Sequence, residues 1–171
     1  MLQDSAVREV AQAGAAVVNQ SMDAETELNG FIDRYSPDVA ADGRRALAFL
    51  GACLPTATQL VYDNYNALVI GFGAGPRASD IILSLALYPR YVTLFLARGI
   101  ELSDPHGLLE GEGKGVRHVK LRPISRLESP EVGALIDAAM AIADPPLPTT
   151  GRSELIIKSI SAKQRPRRPA A

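Results

Sequence analysis

The sequence predicts an α+β fold in which an antiparallel sheet of about five to six strands packs against helices on one face. Apolar residues in the first third of the chain recur at three- and four-residue steps, which is typical of helices. Four short runs rich in Val, Ile, Leu, Tyr and Phe come next, with turn residues between them, and they indicate consecutive strands. A further helical stretch and two further strand-like runs complete the pattern.

Hydrophobic periodicity places four helices in the chain. The second helix is expected to follow a cap at Ser21 or Asp23 and to turn Leu28, Phe31 and Ile32 toward the core. The predicted helices cover residues 4–20, 24–34, 39–53 and 131–142. The core stripe of the last one consists of Val132, Leu135, Ile136 and Ala139.

Six short runs of aliphatic, β-branched and aromatic residues predict six strands. Turn residues at 63–64 and 89–90 separate strands of the expected antiparallel meander. Gly71, Gly73 and Gly75 end the second run, but their spacing differs from that of the dinucleotide-binding fingerprint. They predict a wide hairpin loop that needs positive φ. The predicted strands cover residues 59–62, 66–72, 81–88, 91–97, 118–121 and 154–160.

Composition indicates one globular domain. The 171 residues are 47% apolar and 22% charged, as in ordinary globular proteins, and no apolar run is long enough for a membrane span. Cys53 is the single cysteine, which excludes a disulfide scaffold, and its apolar neighbours predict a buried, structural residue. The predicted division is an N-terminal helix at 1–22, an α/β domain at 23–161 and a basic C-terminal tail at 162–171.

Charge is distributed unevenly along the chain. Of 18 basic and 19 acidic residues, five basic ones and no acid follow Glu154, so residues 155–171 carry about +5 and the rest about −6. The tail has prolines but no large apolar side chain, which predicts a disordered or peripheral segment. The first residues lack the basic and apolar regions of a signal peptide, so a cytoplasmic location is expected.

The segment 98–122 contains both histidines and many charged residues, and long loops in compact domains are usually functional or disordered. Its cationic side chains stand beside glycine-rich backbone, which is typical of an anion-binding nest. The basic cluster of the tail offers a second source of phosphate-binding groups. The candidate ligand-binding residues are Lys114, Arg117, His118, Asn66, Lys163 and Arg165.

Two other interpretations of this segment stay open. Asp104, His106 and Glu110 offer the carboxylate and imidazole ligands of a metal site. In a purely structural interpretation Asp104 begins a turn, Leu108 and Leu109 anchor the loop to the core, and the charges solvate its surface.

Four segments together resemble a known family. They are residues 62–72 (YDNYNALVIGF), 84–90 (SLALYPR), 104–114 (DPHGLLEGEGK) and 117–120 (RHVK). The combination is similar to the YdhG-like family, also called domain of unknown function 1801, over roughly residues 25–145. The resemblance implies a YdhG-like or frataxin-like α/β sandwich.

Some members of that largely uncharacterised family are described as frataxin-like iron chaperones, so the resemblance implies iron as a candidate metal. Those proteins use carboxylates on a helix and its neighbouring edge. In this chain Asp23 and Glu27 are four residues apart and would share one helix face.

One spatial condition decides the anion-site hypothesis, and a further hypothesis concerns the tail. The cationic groups from Lys114 to His118 have to point outward together and line a concave recess. If the strand at 154–160 lies beside the strand at 118–121, Lys114 and the tail arginines converge on one anion.

The sequence thus favours a non-enzymatic protein that binds a small anionic or phosphate-bearing ligand, since nothing picks out a nucleophile with its base. The alternatives are an intracellular iron chaperone of the frataxin-like type and an enzyme with an unrecognised site in the 98–122 loop. A nucleic-acid partner is less favoured and no membrane partner is expected. Unpaired edge strands of a meander also suggest a homodimer.

Overall fold

The computed structural model describes residues 20–170, which form three α-helices and a six-stranded sheet. The helices are α1, whose described part is residues 20–32, α2 at Pro37–Cys53 and α3 at Pro130–Ala141. The strands are β1 at Thr58–Asp63, β2 at Leu68–Gly73, β3 at Ile81–Tyr88, β4 at Tyr91–Leu96, β5 at Arg117–Leu121 and β6 at Glu154–Ile160.

The sheet order is β5-β4-β3-β2-β1-β6. The first five strands form an antiparallel meander, as the turn residues predict. The last strand instead returns across the fold and pairs with β1 in parallel. The predicted α+β class is therefore confirmed, with a mixed and mostly antiparallel sheet whose two edge strands are β5 and β6.

The helices pack on one face of this sheet because its strands turn alternate large apolar side chains toward them. In the registered row through β2, β3 and β4, Leu68 lies opposite Leu87, and Leu87 lies opposite Val92. All three are fully buried. Helix α2 contacts β3 and β4, and α3 contacts β3. The predicted core stripe of α3 is buried as expected, and the Ser129 hydroxyl caps this helix by accepting the Val132 N–H at 3.3 Å.

Two predicted helix boundaries are wrong. No break occurs at Ser21 or Asp23, because residues 20–32 form one continuous helix and the Thr26 hydroxyl bonds back to the Met22 carbonyl at 2.8 Å. The next helix begins at Pro37, earlier than predicted, since proline fits the first helical position, where no N–H is needed. The helix predicted over 4–20 lies outside the described residues except for its last position.

Cys53 is exposed at the end of α2, so the prediction of a buried cysteine is wrong. The prediction of positive φ in the 71–75 loop is also wrong: within residues 20–170, positive φ occurs at Gly107, Gly111 and Gly151. Gly73 serves another purpose, because a Cβ there would lie 2.3 Å from the Asp80 carbonyl oxygen. That glycine permits close approach of two backbone segments.

The described part of the chain includes no helix with the length and apolar character needed to cross a bilayer.

Candidate functional site

The loop between β4 and β5 uses the carboxylate of Asp104 for its own structure. Both carboxylate oxygens of Asp104 accept backbone N–H groups, from Leu108 at 2.9 Å and from Leu109 at 2.8 Å. The two leucines are half-buried and pack against the core. The structural interpretation of this stretch is thus confirmed for these three residues.

Glu110 lies beside His118 and Lys120 rather than beside the other candidate metal ligands. Its carboxylate is 3.0 Å from the Lys120 ammonium and 3.9 Å from the His118 imidazole. The hydrogen bond and charge of Lys120 lower the pKa of the Glu110 carboxyl. An ammonium at this position repels a metal cation.

His106 is exposed and makes no hydrogen bond or ion pair with residues 20–170. Within those residues no three His, Cys, Asp or Glu side chains lie close enough to hold a metal ion. The predicted metal set of Asp104, His106 and Glu110 is therefore not brought together, and neither is a set that includes Asp23 and Glu27.

The cationic groups from Lys114 to His118 do not point outward together, so the condition on which an anion site in this loop depends is not met. The guanidinium of Arg117 donates to the Gly113 carbonyl at 2.6 Å and to the Val116 carbonyl at 2.8 Å, which turns it back on its own loop. The His118 ring packs on Phe95, with centroids 5.3 Å apart. Lys114 is exposed. The best-formed surface cavities of residues 20–170 are lined by residues other than Lys114, Arg117 and His118.

The sheet order separates this loop from the tail. Strand β5 follows the loop and forms one edge of the sheet, whereas β6 leads into the tail and forms the opposite edge. The predicted convergence of Lys114 with the tail arginines is therefore wrong.

The tail itself is docked, so of the two predicted alternatives, a disordered or a peripheral segment, disorder is wrong. Arg167 is buried, and its Nη2 donates to Asp63 Oδ1 at 2.7 Å and to the Asn64 carbonyl at 2.5 Å. The other carboxylate oxygen of Asp63 pairs with Arg34. A second tail contact is made by the Arg165 N–H, which donates to the Tyr65 carbonyl at 2.9 Å.

Arg168 is held by the end of α1. Its Nε donates to the carbonyls of Arg34 at 3.2 Å and Tyr35 at 3.1 Å, and its Nη2 donates to the Asp33 carbonyl at 3.2 Å. These carbonyls lie in the turn after the helix, and a guanidinium has enough N–H donors to bond several of them at once. These contacts fix the position of the tail on a second side.

The docked tail and the β3–β4 turn border an open surface cavity of about 600 Å³. Arg90 comes from the turn, Arg165 and Arg168 come from the tail, and Asn66 comes from the β1–β2 turn. Arg165 Nη1 donates to Asn66 Oδ1 at 3.4 Å, while Arg90 is exposed and makes no hydrogen bond or ion pair with residues 20–170. The remaining lining residues are Tyr88, Pro89, Tyr91, Pro166 and Pro169.

The lining includes three arginines and no acidic residue. The nearby carboxylate of Asp33 is paired with Arg44 at 2.5 Å. The electrostatics of the cavity therefore favour an anion, and guanidinium groups match the oxygens of phosphate and carboxylate.

Two of the six predicted ligand-binding residues, Asn66 and Arg165, meet in this cavity. Lys163 is exposed nearby in the chain but does not line it. The sequence pattern does not identify Arg90 as a candidate, because Pro89-Arg90 is typical of a turn. No local signal indicates that the tail lies opposite this turn. Arg167 and Arg168 do belong to the basic cluster of the tail, which the sequence indicates as a candidate for phosphate binding.

Fold and site together define an α+β protein with a meander sheet, whose C-terminal tail folds back to complete a cationic cavity. No protein-family model, curated protein or solved structure matches this chain. The resemblance to the YdhG-like family therefore stays a prediction.

Proposed function

We propose that this protein binds a small anionic, phosphate-bearing ligand, and that the cavity between the tail and the β3–β4 turn holds it. The observation that carries the proposal is the convergence of Arg90, Arg165 and Arg168 on one cavity without a lining carboxylate. Like charges gathered on one surface repel one another, and an anion between them removes that repulsion.

The three arginines have hydrogen-bonding capacity to spare. Each guanidinium offers five N–H donors. Arg165 uses one of them weakly, on Asn66 at 3.4 Å, and Arg90 uses none on residues 20–170. Arg168 is oriented by the end of α1, so its position is set before a ligand arrives. Such preorganisation lowers the entropic cost of binding.

A calorimetric titration of the full chain with inorganic pyrophosphate at low ionic strength tests the proposal. We expect saturable binding that weakens as salt rises, because exposed charges are screened. Thermal unfolding gives a second readout: ligand at a hundred times Kd adds about 2.7 kcal/mol to the free energy of unfolding.

Three single variants locate the site. Arg90→Ala and Arg165→Ala should each weaken pyrophosphate binding at least tenfold. Lys114→Ala removes the same charge from the 98–122 loop and serves as the matched control, since Lys114 does not line the cavity. If Lys114→Ala abolished binding and Arg165→Ala left it unchanged, the site would belong to the loop and the proposal would be wrong.

The alternatives found in the sequence gain no such observation. An iron chaperone needs a group of metal ligands, and residues 20–170 bring no three together. An enzyme in the 98–122 loop needs available side chains, whereas Asp104 bonds to its own loop and Glu110 to Lys120.

A further inference from the structure

The cavity that would hold the anion has a second wall made of aromatic rings. Tyr88 and Tyr91 close the β3–β4 hairpin, and their rings stack with centroids 5.1 Å apart and planes inclined by 29°. Both side chains are half-buried and both line the cavity. An inorganic anion would need the arginines alone, whereas an aromatic wall suits a planar ring, because ring faces stack on one another.

Prolines extend this uncharged side. Pro89 lies between the two tyrosines in the chain, and Pro166 and Pro169 reach the cavity from the tail. Proline has no backbone N–H, so these three prolines present apolar rings and no backbone hydrogen-bond donor. The cavity thus combines guanidinium groups that suit phosphate oxygens with aromatic and proline rings that suit a flat, weakly polar group.

The phenol of Tyr88 adds no negative charge beside the arginines at neutral pH. Burial, and to a smaller extent the neighbouring Tyr91, raises the pKa of this phenol above its ordinary value near 10. The group therefore stays protonated, and its hydroxyl keeps a hydrogen to donate to a ligand oxygen.

We infer that the ligand is a nucleoside phosphate whose phosphate pairs with Arg90, Arg165 and Arg168 while its base stacks on the Tyr88–Tyr91 pair. This inference rests on the proposed function and adds the chemical class of the ligand. The cavity volume of about 600 Å³ lies within the range of small-molecule sites.

Charge distribution favours a single nucleotide over a longer nucleic acid. Residues 1–154 contain 13 basic and 19 acidic residues, a net charge of about −6. This net negative charge opposes the binding of a long polyanion, which would gain little from further phosphates.

A series of ligands separates the contribution of the arginines to binding from that of the tyrosine rings. Calorimetry of the full chain with pyrophosphate, ribose 5-phosphate, adenosine monophosphate and guanosine monophosphate measures what each part of the ligand contributes. We expect at least one of the two nucleotides to bind at least tenfold more tightly than ribose 5-phosphate. In proton NMR spectra, that nucleotide should shift tyrosine ring resonances that ribose 5-phosphate leaves in place.

Two substitutions at one position test the stacking. Tyr91→Leu should remove the nucleotide advantage and leave ribose 5-phosphate affinity within twofold, whereas Tyr91→Phe keeps the ring and should retain the advantage. Arg165→Ala should weaken both ligands by a similar factor. Circular dichroism of each variant shows whether the fold is retained, and the Phe variant supplies a test even where Leu disturbs the hairpin.

The outcomes distinguish the two proposals. Equal affinity for ribose 5-phosphate and both nucleotides would overturn the nucleotide inference and leave the anion site standing. No binding of any phosphate would overturn both. Affinity for a hexanucleotide more than tenfold above that for the monophosphates would overturn the inference in favour of a nucleic-acid partner.

Discussion

Arg167 Nη2 and Asp63 Oδ1 lie 2.7 Å apart, and both side chains are almost fully buried although 104 residues separate them in the chain. This ion pair joins the tail to the end of β1. Burying one such charge without its partner is costly, so the pair determines where the tail docks. The arginines on either side of Arg167 then reach the cavity, which makes the site dependent on the pair.

Asp63→Asn is expected to destabilise the protein and weaken anion binding together. The substitution leaves the Arg167 guanidinium buried without a full counter-charge, and breaking a buried pair costs about 3 kcal/mol or more. Urea unfolding measures the loss, and pyrophosphate titration should show at least a tenfold weaker affinity. Mass spectrometry after limited trypsin digestion should show faster cleavage after Lys163.

Arg165→Ala is the control for the stability measurement, because Arg165 is exposed and belongs to the same tail. Its free energy of unfolding should stay within about 0.5 kcal/mol of wild type, as for most surface substitutions. If Asp63→Asn were as stable as Arg165→Ala, the buried pair would not be what holds the tail.

Tyr35→Phe is expected to cost about 2 kcal/mol, since it removes a hydroxyl that two buried backbone groups use. The Tyr35 hydroxyl donates to the Leu87 carbonyl at 2.8 Å and accepts the Leu68 N–H at 3.0 Å. It thereby connects the turn after α1 to β2 and β3. Chemical denaturation measures this loss in the free energy of unfolding.

Tyr65→Phe removes a hydroxyl from a tyrosine that is half-exposed at 52% and is the matched control for that loss. It should leave the stability unchanged. A similar small effect from Tyr35→Phe would show that the two backbone groups find other partners.

Much of the sheet could be predicted because its signals are local. Turn residues separate alternating apolar runs from β1 to β4, and α3 has both a capping serine and a clear core stripe. The parallel pairing of β6 with β1 has no such signal, because it joins segments almost a hundred residues apart. Sheet order, and with it the separation of Lys114 from the tail, follows from this long-range pairing.

The candidate site could be predicted only in part for a related reason. Asn66 and Arg165 were recognised, and the structure brings them together at 3.4 Å. The tail looked peripheral because it lacks large apolar side chains, yet it docks through charges and backbone carbonyls. A periodicity of apolar residues cannot predict docking through ion pairs and hydrogen bonds. In the sequence, the partner Asp63 indicates only a turn.

Stability should fall in acid partly through Asp80. Its carboxylate accepts the Arg77 N–H and Nε at 3.2 Å and Nη2 at 3.0 Å. These bonds, the side-chain one foremost, lower the pKa of the Asp80 carboxyl. The folded state thus favours the ionised form, so the stabilisation is present above the ordinary aspartate pKa near 4 and is lost as pH falls through and below it.

Asp80→Asn provides the comparison, measured by urea unfolding at pH 7 and at pH 3. The variant should be less stable than wild type at pH 7, and the difference should shrink at pH 3, where the wild-type carboxyl becomes protonated. A difference that grew toward pH 3 would have the wrong sign and would show that the Arg77–Asp80 contact does not stabilise the folded state.

Two glycine-to-alanine substitutions should change stability in opposite directions. A Cβ at Gly73 would lie 2.3 Å from the Asp80 carbonyl oxygen, so β2 and the backbone before β3 would have to separate. Overpacking of this kind costs about 1–3 kcal/mol. A Cβ at Gly51 in α2 would meet no atom within 4 Å, and alanine there should stabilise the helix by about 0.5–1 kcal/mol. Thermal unfolding of the two variants against wild type measures both changes in stability. A stabilising Gly73→Ala would show that β2 and the backbone before β3 do not approach as closely as the structure has them.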